Sequence, residues 1–329
     1  MLKRANELAR LGLGFTGSNP IVGAVVIDAA GNVIGEGFHK SGPHAEVVAL
    51  GQAGQLAKGA TLFVTLEPCN HHGKTGPCTE AIISAGIAKV VYAVRDPNEL
   101  ASGGAKALAA AGIDVVLNSE LTEIAHSNRA WLRKIKNNCP YFIWKIATTL
   151  DGRTSAIDGS SKWITGPESR AEVSQLRSES GAILIGTATA LADNPNLIPK
   201  DAGTLRETNP VRIVMGLSEI PSDFNLHNDK AETIFLRSHD FSELLKLCAE
   251  RDFNQVLVES GSKLGTELLK AGLIDELIIF QAASLLGSGN SFIGDLGVTN
   301  IKEKMDFVIK DVAQFGNDLK ITLTKEAGI

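Results

Sequence analysis

Three short segments bring together side chains able to hold a metal: Pro43-His44-Ala45-Glu46, Glu67-Pro68-Cys69 and Gly76-Pro77-Cys78. One imidazole and two thiolates make a suitable zinc set, and three protein ligands leave a fourth position open for water. The thiolates offset the charge of the ion while the ion still acidifies that water. Glu46 serves such a water only if it faces the metal beside His44, yet residues two apart on a regular helix point ~200° apart. The pair therefore belongs at a helix start, before the backbone becomes regular, with Pro43 as a helix-start residue. Cys78 follows Pro77 and opens the next predicted helix, where the macrodipole favours a thiolate. The set approaches the zinc-deaminase signature H-x-E followed by P-C-x-x-C. It departs in spacing, because eight residues separate Cys69 from Cys78. A structural zinc site closed by His71 or His72 as fourth ligand is the competing reading. Cys139 and Cys248 lie outside the cluster and are read as packing residues.

The second half offers a different kind of group. No G-x-G-x-x-G follows a predicted strand, which excludes a Rossmann fingerprint. Two glycine-containing turns follow apolar runs instead: Ile185-Gly186-Thr187-Ala188-Thr189, and Val258-Glu259-Ser260-Gly261-Ser262-Lys263-Leu264-Gly265. Backbone N–H groups that open a helix after such a turn can hold phosphate. The same pattern is also how any α/β domain turns its corners. Taken alone, the residues leave both readings open. The stretch 194–210, rich in Pro, Asn, Gly and Thr, reads as a long loop of the kind that carries function.

Holding these groups requires a layered scaffold, and the apolar pattern predicts one. Helices are expected over Leu2–Leu11, Ala45–Leu56, Thr79–Ala85, Ala105–Ala111 and Glu120–Lys136, and strands over Val22–Ile27, Thr61–Leu66, Val90–Val94 and Ile113–Leu117. Ala30-Gly31-Asn32 reads as a hairpin turn before Val33-Ile34. A new strand runs from Tyr141 to Thr149 after the stop at Asn137-Asn138-Cys139-Pro140, which sets a domain boundary near 142. Helices over Glu168–Ser178, Phe241–Glu250 and Lys263–Lys270 then alternate with strands over Ala182–Ile185, Val211–Met215, Val256–Val258 and Leu277–Phe280. The alternation argues for sheets covered by helices, with some strands parallel. The 329 residues, 44% hydrophobic and 21% charged, are those of a globular two-domain protein. No apolar run is long enough to span a bilayer, the N-terminus lacks the unbroken apolar core of a signal peptide, and a cytoplasmic protein with reduced thiols is expected. Residues 1–143 carry 13 Lys and Arg against 11 Asp and Glu, and the remainder 19 against 26. That balance disfavours a nucleic-acid binder and suits small anionic substrates.

The segments NPIVGAVV, HAEVVAL and TLEPCNHHGKTGPC resemble the bacterial bifunctional riboflavin-biosynthesis proteins, in which a pyrimidine deaminase is fused to an NADPH-dependent reductase. LDGRT, SKWITG, LRSESGAILIGTATALADNP and VLVESGSKL extend the likeness over nearly the whole chain. In that family the longer cysteine spacing, with its His-Gly-Lys/Arg-Thr insert, is usual. The resemblance implies an α/β fold: an N-terminal cytidine-deaminase-like α/β/α domain (1–142) and a C-terminal dihydrofolate-reductase-like α/β domain (143–329). It implies that His44, Cys69 and Cys78 hold one zinc ion, that Glu46 shuttles protons, and that Asn19 meets the substrate base. In the second half it implies NADPH contacts from Ala147, Trp163, Thr189, Asp193, Gly261, Ser262, Lys263, Leu264, Gly265, Thr266 and Glu267. Ser161, Arg177, Leu197, Lys200 and Glu259 would line the second substrate. The implied reactions are deamination of 2,5-diamino-6-(5-phosphoribosylamino)pyrimidin-4-one, then NADPH-dependent reduction of the ribose of 5-amino-6-(5-phosphoribosylamino)uracil. The expected partners are small-molecule ribotides, with no nucleic acid and no membrane, in a homo-oligomer.

Departures from the family pattern are local. Lys200 stands where the family usually has arginine, and a point charge replaces a bidentate fork. Val214-Met215-Gly216-Leu217-Ser218 lacks the Asp-Ser often found after that strand, the His39–Pro43 loop is two residues short, and the loops around 200–235 are trimmed. Two other readings compete: a zinc deaminase of nucleic-acid bases with a C-terminal binding module, and a non-enzymatic zinc-stabilised protein.

Overall fold

Side chains on a strand point alternately to opposite faces, and in the first half that alternation sorts the apolar residues between two helical layers. The computed structural model describes residues 1–72, 76–98, 101–200 and 209–325. It divides into two units, Met1–Asn138 and a second that begins at Cys139. The first contains α1 (Leu2–Arg10), β1 (Gly23–Ile27), β2 (Val33–Phe38), α2 (Ala45–Ala53), β3 (Thr61–Leu66), α3 (Cys78–Ser84), β4 (Lys89–Val94), α4 (Gly104–Ala110), β5 (Asp114–Leu117), α5 (Thr122–Ser127) and α6 (Arg129–Asn137). Its five-stranded sheet has the order β2-β1-β3-β4-β5, with β3, β4 and β5 parallel and β1 antiparallel to both neighbours. Ala24, Val26, Leu62, Val64, Val90 and Tyr92 face α2, α3 and α4. Val25, Val91 and Ala93 face the other way, against Leu2, Ala5 and Leu8 of α1 and Ile124 of α5. A Cβ on Gly37 of β2 would stand 2.4 Å from the Ala45 carbonyl oxygen. Glycine there lets the first turn of α2 lie directly on the sheet.

The single helix expected over Glu120–Lys136 is two, α5 and α6. Asn128 separates them, at φ −99° and ψ 14°. Its buried amide accepts from the Ile21 N–H (2.9 Å) and donates to the Ile21 carbonyl (2.7 Å), bonding as a strand neighbour would. Periodicity carries no trace of a side chain captured by backbone more than a hundred residues away.

The second unit contains β6 (Tyr141–Thr149), β7 (Arg153–Ser155), α7 (Pro167–Glu179), β8 (Ala182–Gly186), α8 (Thr187–Asp193), β9 (Val211–Met215), β10 (Thr233–Leu236), α9 (Phe241–Glu250), β11 (Gln255–Val258), α10 (Ser262–Lys270), β12 (Ile274–Ala282), β13 (Asn290–Ser291), β14 (Val308–Phe315) and β15 (Asp318–Thr324). The main sheet runs β10-β9-β8-β11-β6-β12-β15-β14. Neighbours are parallel from β10 to β12, and β15 and β14 add antiparallel. Phe142, Trp144 and Ile146 of β6 pack with Leu184, Val256 and Val258 against Leu244 and Cys248 of α9 and Leu268 and Leu269 of α10. The parallel strands end together, so the turns after β8 and β11 lie side by side at one edge, the place where open α/β sheets bind ligands.

Candidate functional site

His44 is the residue before α2, with extended backbone (φ −71°, ψ 159°), while its carbonyl already accepts from the Val48 N–H at 3.1 Å. This half-helical position frees its ring from the helical sweep. Cys69 follows β3, and Cys78 is the first residue of α3, its N–H pointing at the Cys69 sulfur at 3.4 Å. The His44 Nδ1 stands 3.2 Å from Cys78 Sγ and 3.5 Å from Cys69 Sγ. All three ligand atoms lie within 4.8 Å of one another. Tetrahedral zinc with Zn–N ~2.0 Å and Zn–S ~2.3 Å separates its ligand atoms by about 3.5–3.8 Å, so the donor set and its spacing fit the ion. Neither histidine of the alternative four-ligand site joins the group. His72 is exposed, with Nε2 3.3 Å from Glu80. The hydrogen bond from the Cys78 thiol, reinforced by His44, holds the Cys69 thiol well below its ordinary value.

Glu46, in the first turn of α2, is 3% exposed. Burial pushes its carboxyl up to about 7, with the Cys78 thiol within hydrogen-bonding reach. It lines a cavity of about 720 Å³ together with His44, Cys69, Asn19, His39 and Asp96. Asn19 stands exposed at this wall, its carbonyl accepting from the Thr16 hydroxyl at 2.9 Å. Sequence reasoning named Glu67 only within the Glu67-Pro68-Cys69 segment, without a role of its own, and missed Asp96. Glu67 is buried and accepts from the Ala105 N–H at 3.0 Å and the Asp96 N–H at 3.4 Å, tying the opposite wall to the start of α4. Its signal was present: an acid directly before Pro68-Cys69 at the end of a buried strand.

In the second unit the two glycine turns meet. The Gly261 N–H donates to the Thr189 hydroxyl at 3.2 Å, joining the starts of α8 and α10. A Cβ on Gly265 would stand 2.0 Å from the Trp144 ring, so this glycine is required for packing α10 on β6. Thr266 is buried and accepts from the Gly294 N–H at 2.8 Å, and Glu267 pairs with Lys270 at 3.1 Å. Gly261, Ser262 and Lys263 open α10, and Leu264 sits against the core. Ala147 lies on β6 and Asp193 ends α8, where its carbonyl accepts from Lys162 Nζ at 3.3 Å. Trp163 is 70% exposed, with the Arg170 guanidinium 4.7 Å above its ring. Ser161 is half-buried, Leu197 is buried in a left-handed conformation (φ 56°), and Lys200 is exposed with its backbone N–H (2.5 Å) and C=O (2.6 Å) bonded to the Ser174 hydroxyl. Residues 201–208 of the long loop lie outside the described residues.

Glu259 and Arg177 are partners of each other. Arg177 donates to both Glu259 oxygens, at 2.5 and 2.9 Å, and Lys145 Nζ stands 3.0 Å from Oε2. Burial opposes ionisation of Glu259, but the two cations prevail and hold its carboxyl at about 2. Lys145 also escaped sequence reasoning. A lysine inside the apolar run YFIWKIATT is the mark of a strand cation with a buried acid to meet.

Residues 1–94 match the family described as the cytidine and deoxycytidylate deaminase zinc-binding region, and residues 140–321 match the RibD C-terminal domain. The riboflavin biosynthesis protein RibD of Mycobacterium tuberculosis is 42% identical over 314 residues, covering 94% of this chain and 92% of that protein. The Escherichia coli RibD is 36% identical over 359 residues, covering 98% of each. The chain belongs to the RibD family. It therefore joins a zinc-dependent hydrolytic deaminase to an NADPH-dependent reductase in riboflavin biosynthesis. The fold agrees with solved RibD structures: Acinetobacter baumannii RibD superposes with a TM-score of 0.90 at 35% identity, covering 99% of this chain and 98% of that one. The Thermotoga maritima diaminohydroxyphosphoribosylaminopyrimidine deaminase/5-amino-6-(5-phosphoribosylamino)uracil reductase gives 0.89 at 34% identity, covering 98% and 97%. Among the described residues, no helix is long and apolar enough to cross a membrane.

Proposed function

We propose that the first unit deaminates 2,5-diamino-6-(5-phosphoribosylamino)pyrimidin-4-one, and that the second reduces the ribose of 5-amino-6-(5-phosphoribosylamino)uracil to the ribityl chain. The observation that carries the first step is the meeting of His44, Cys69 and Cys78 beside a buried carboxyl, Glu46, at the wall of a cavity. In this reading Nδ1 of His44 and the sulfurs of Cys69 and Cys78 hold zinc, which when bound supplies the Lewis acidity that brings the pKa of a water toward ~7. Glu46 takes one proton of the attacking water and hands it to a ring nitrogen, then takes the second, from the hydroxyl now on the ring carbon, and delivers it to the amino group, which leaves as ammonia. A carboxyl raised to about 7 by burial is suited to accept and return a proton at neutral pH. Asn19 orients the base.

NADPH, when bound, supplies hydride to the sugar C1. The helix start at Gly261, Ser262 and Lys263, with Thr189 beside it, offers backbone donors to the cofactor phosphates. Ala147, Trp163, Asp193 and the α10 residues through Glu267 complete the cofactor wall in this reading, and Ser161, Leu197, Lys200, Arg177 and Glu259 the substrate side. Because Arg177 spends two donors on Glu259, its first role is to keep that carboxylate ionised and oriented. The same reading makes the protein a cytoplasmic homo-oligomer without nucleic-acid or membrane partners, and the acidic remainder of the chain, 19 cations against 26 acids beyond residue 143, supports the absence of nucleic acid. Incubating the protein with the diaminopyrimidine ribotide and NADPH, ammonia and NADPH being followed together, tests it. Ammonia release should precede NADPH loss. Loss of NADPH with no ammonia would overturn the order of steps, and no ammonia at all would overturn the deaminase reading.

A further inference from the structure

The cofactor wall proposed for the second unit includes an exposed ring, Trp163, on the segment that leads into α7. That segment is fixed at both ends. Lys162 Nζ donates to the Asp193 carbonyl at 3.3 Å, which sets the segment beside the end of α8. Gly166 precedes α7 without a capping side chain, and Asp318, the first residue of β15, anchors it instead. The buried Asp318 carboxylate accepts from the Gly166 N–H at 2.7 Å and from the Ser169 hydroxyl at 2.6 Å. Between these anchors works Arg170, whose own N–H bonds the Gly166 carbonyl at 3.2 Å. Helical side chains lean toward the helix N-terminus, and the Arg170 guanidinium reaches back over the segment. Its Nη1 donates to the Thr165 carbonyl at 2.7 Å, and its central carbon lies 4.7 Å from the centroid of the Trp163 ring. The macrodipole opposes a cation at a helix start, so this placement does not serve α7 itself. It serves the ring, which is held by the guanidinium and yet remains 70% exposed.

We propose that Arg170 is a positioning residue of the reductase, holding Trp163 in the attitude that receives NADPH. This rests on the reading of Trp163 as part of the cofactor wall. A guanidinium placed over the ring and bonded to the backbone beside it fixes the ring before the cofactor arrives, which lowers the ordering cost of binding. The test is a double-mutant cycle on the full zinc-loaded protein, with the already deaminated ribotide as substrate. Wild type, Arg170→Met, Trp163→Ala and the double variant are compared for the KM of NADPH, the KM of the ribotide and kcat. Trp163→Ala should raise the NADPH KM, and Arg170→Met should raise it about fivefold with the ribotide KM unchanged. On top of Trp163→Ala, Arg170→Met should add less than about twofold, since the ring it positions is gone. Arg170→Lys keeps the charge without the flat fork. It should give an intermediate rise, and it carries the same cycle if Arg170→Met does not fold. A wild-type NADPH KM in Arg170→Met overturns the proposal. So does a rise of the same size with and without Trp163, which makes Arg170 a direct cofactor contact. Equal rises in the two KM values overturn it as the mark of a general loss of structure. A Trp163→Ala protein with the wild-type NADPH KM overturns the reading of Trp163, and this proposal falls with it.

Discussion

His44 does its work because it is not yet helical. One residue further into α2 its ring would follow the helical sweep and leave the sulfurs, whereas at the cap it stands 3.2 and 3.5 Å from them. Cys78 enters from a different helix start, so the metal group ties α2, α3 and the end of β3 together. Cys78→Ser should accordingly lose most of its zinc by metal analysis of the purified protein, because a hydroxyl at that place remains protonated where a thiolate would bind. Full zinc retention would instead require His71 or His72 to be a ligand. The motif residues of this centre were legible in the sequence, since H-x-E and the paired cysteines follow from ligand chemistry. The walls were not. Asp96 is an ordinary residue type at an ordinary spacing, and only the folding of separate segments around one cavity gives it a place in the wall. Arg177 shows the converse. The resemblance implies a substrate contact for Arg177, and the structure adds a bidentate pair with Glu259, so removing it would leave a buried carboxylate with Lys145 as its one remaining cationic partner among those given above.

Elements with strong apolar periodicity were predicted close to their true limits: Thr61–Leu66, Tyr141–Thr149 and Phe241–Glu250 match β3, β6 and α9. Those defined by long-range polar capture were not. Asn128 divides α5 from α6 through its grip on Ile21, and β14 and β15 form an antiparallel hairpin whose mixed polar surface hides its strand character. Arg212 shows the same at the level of a side chain: its strand β9 was predicted at its true limits, Val211–Met215, but its bonding was not. This fully buried residue of β9 donates to the carbonyls of Asn196, Asn225, Asn228 and Ala231 and to the Asn228 side chain, fastening the segment after α8 to the one before β10. Nothing in VRIVM announces it beyond the oddity of a cation in an apolar strand. Arg212→Met keeps the volume but strands those acceptors, and should cost roughly 3 kcal/mol in urea unfolding. A variant within ~0.5 kcal/mol of wild type would show that solvent replaces the arginine without loss.

The chain joins two units with two chemistries, each resting on groups of its own. Every residue proposed for proton transfer lies before Asn138, and every residue proposed for the hydride step lies after Cys139. The fold class of both units was readable because strand and helix periods alternate along the whole chain, and the family likeness at 42% identity to the mycobacterial RibD fits that reading. The site chemistry was readable more deeply in the first unit than in the second, because metal ligands are identified by residue type whereas cofactor phosphates are held mostly by backbone. The separateness of the two chemistries is the central claim, and Glu46→Gln tests it most directly. The amide keeps the size of the carboxyl and cannot take a proton, so deamination should fall ~10²–10⁴-fold with zinc retained. Supplied with the already deaminated ribotide and NADPH, the same variant should reduce it at close to the wild-type rate. Loss of both activities in a folded, zinc-loaded Glu46→Gln protein would contradict the account and require one shared or tightly coupled site.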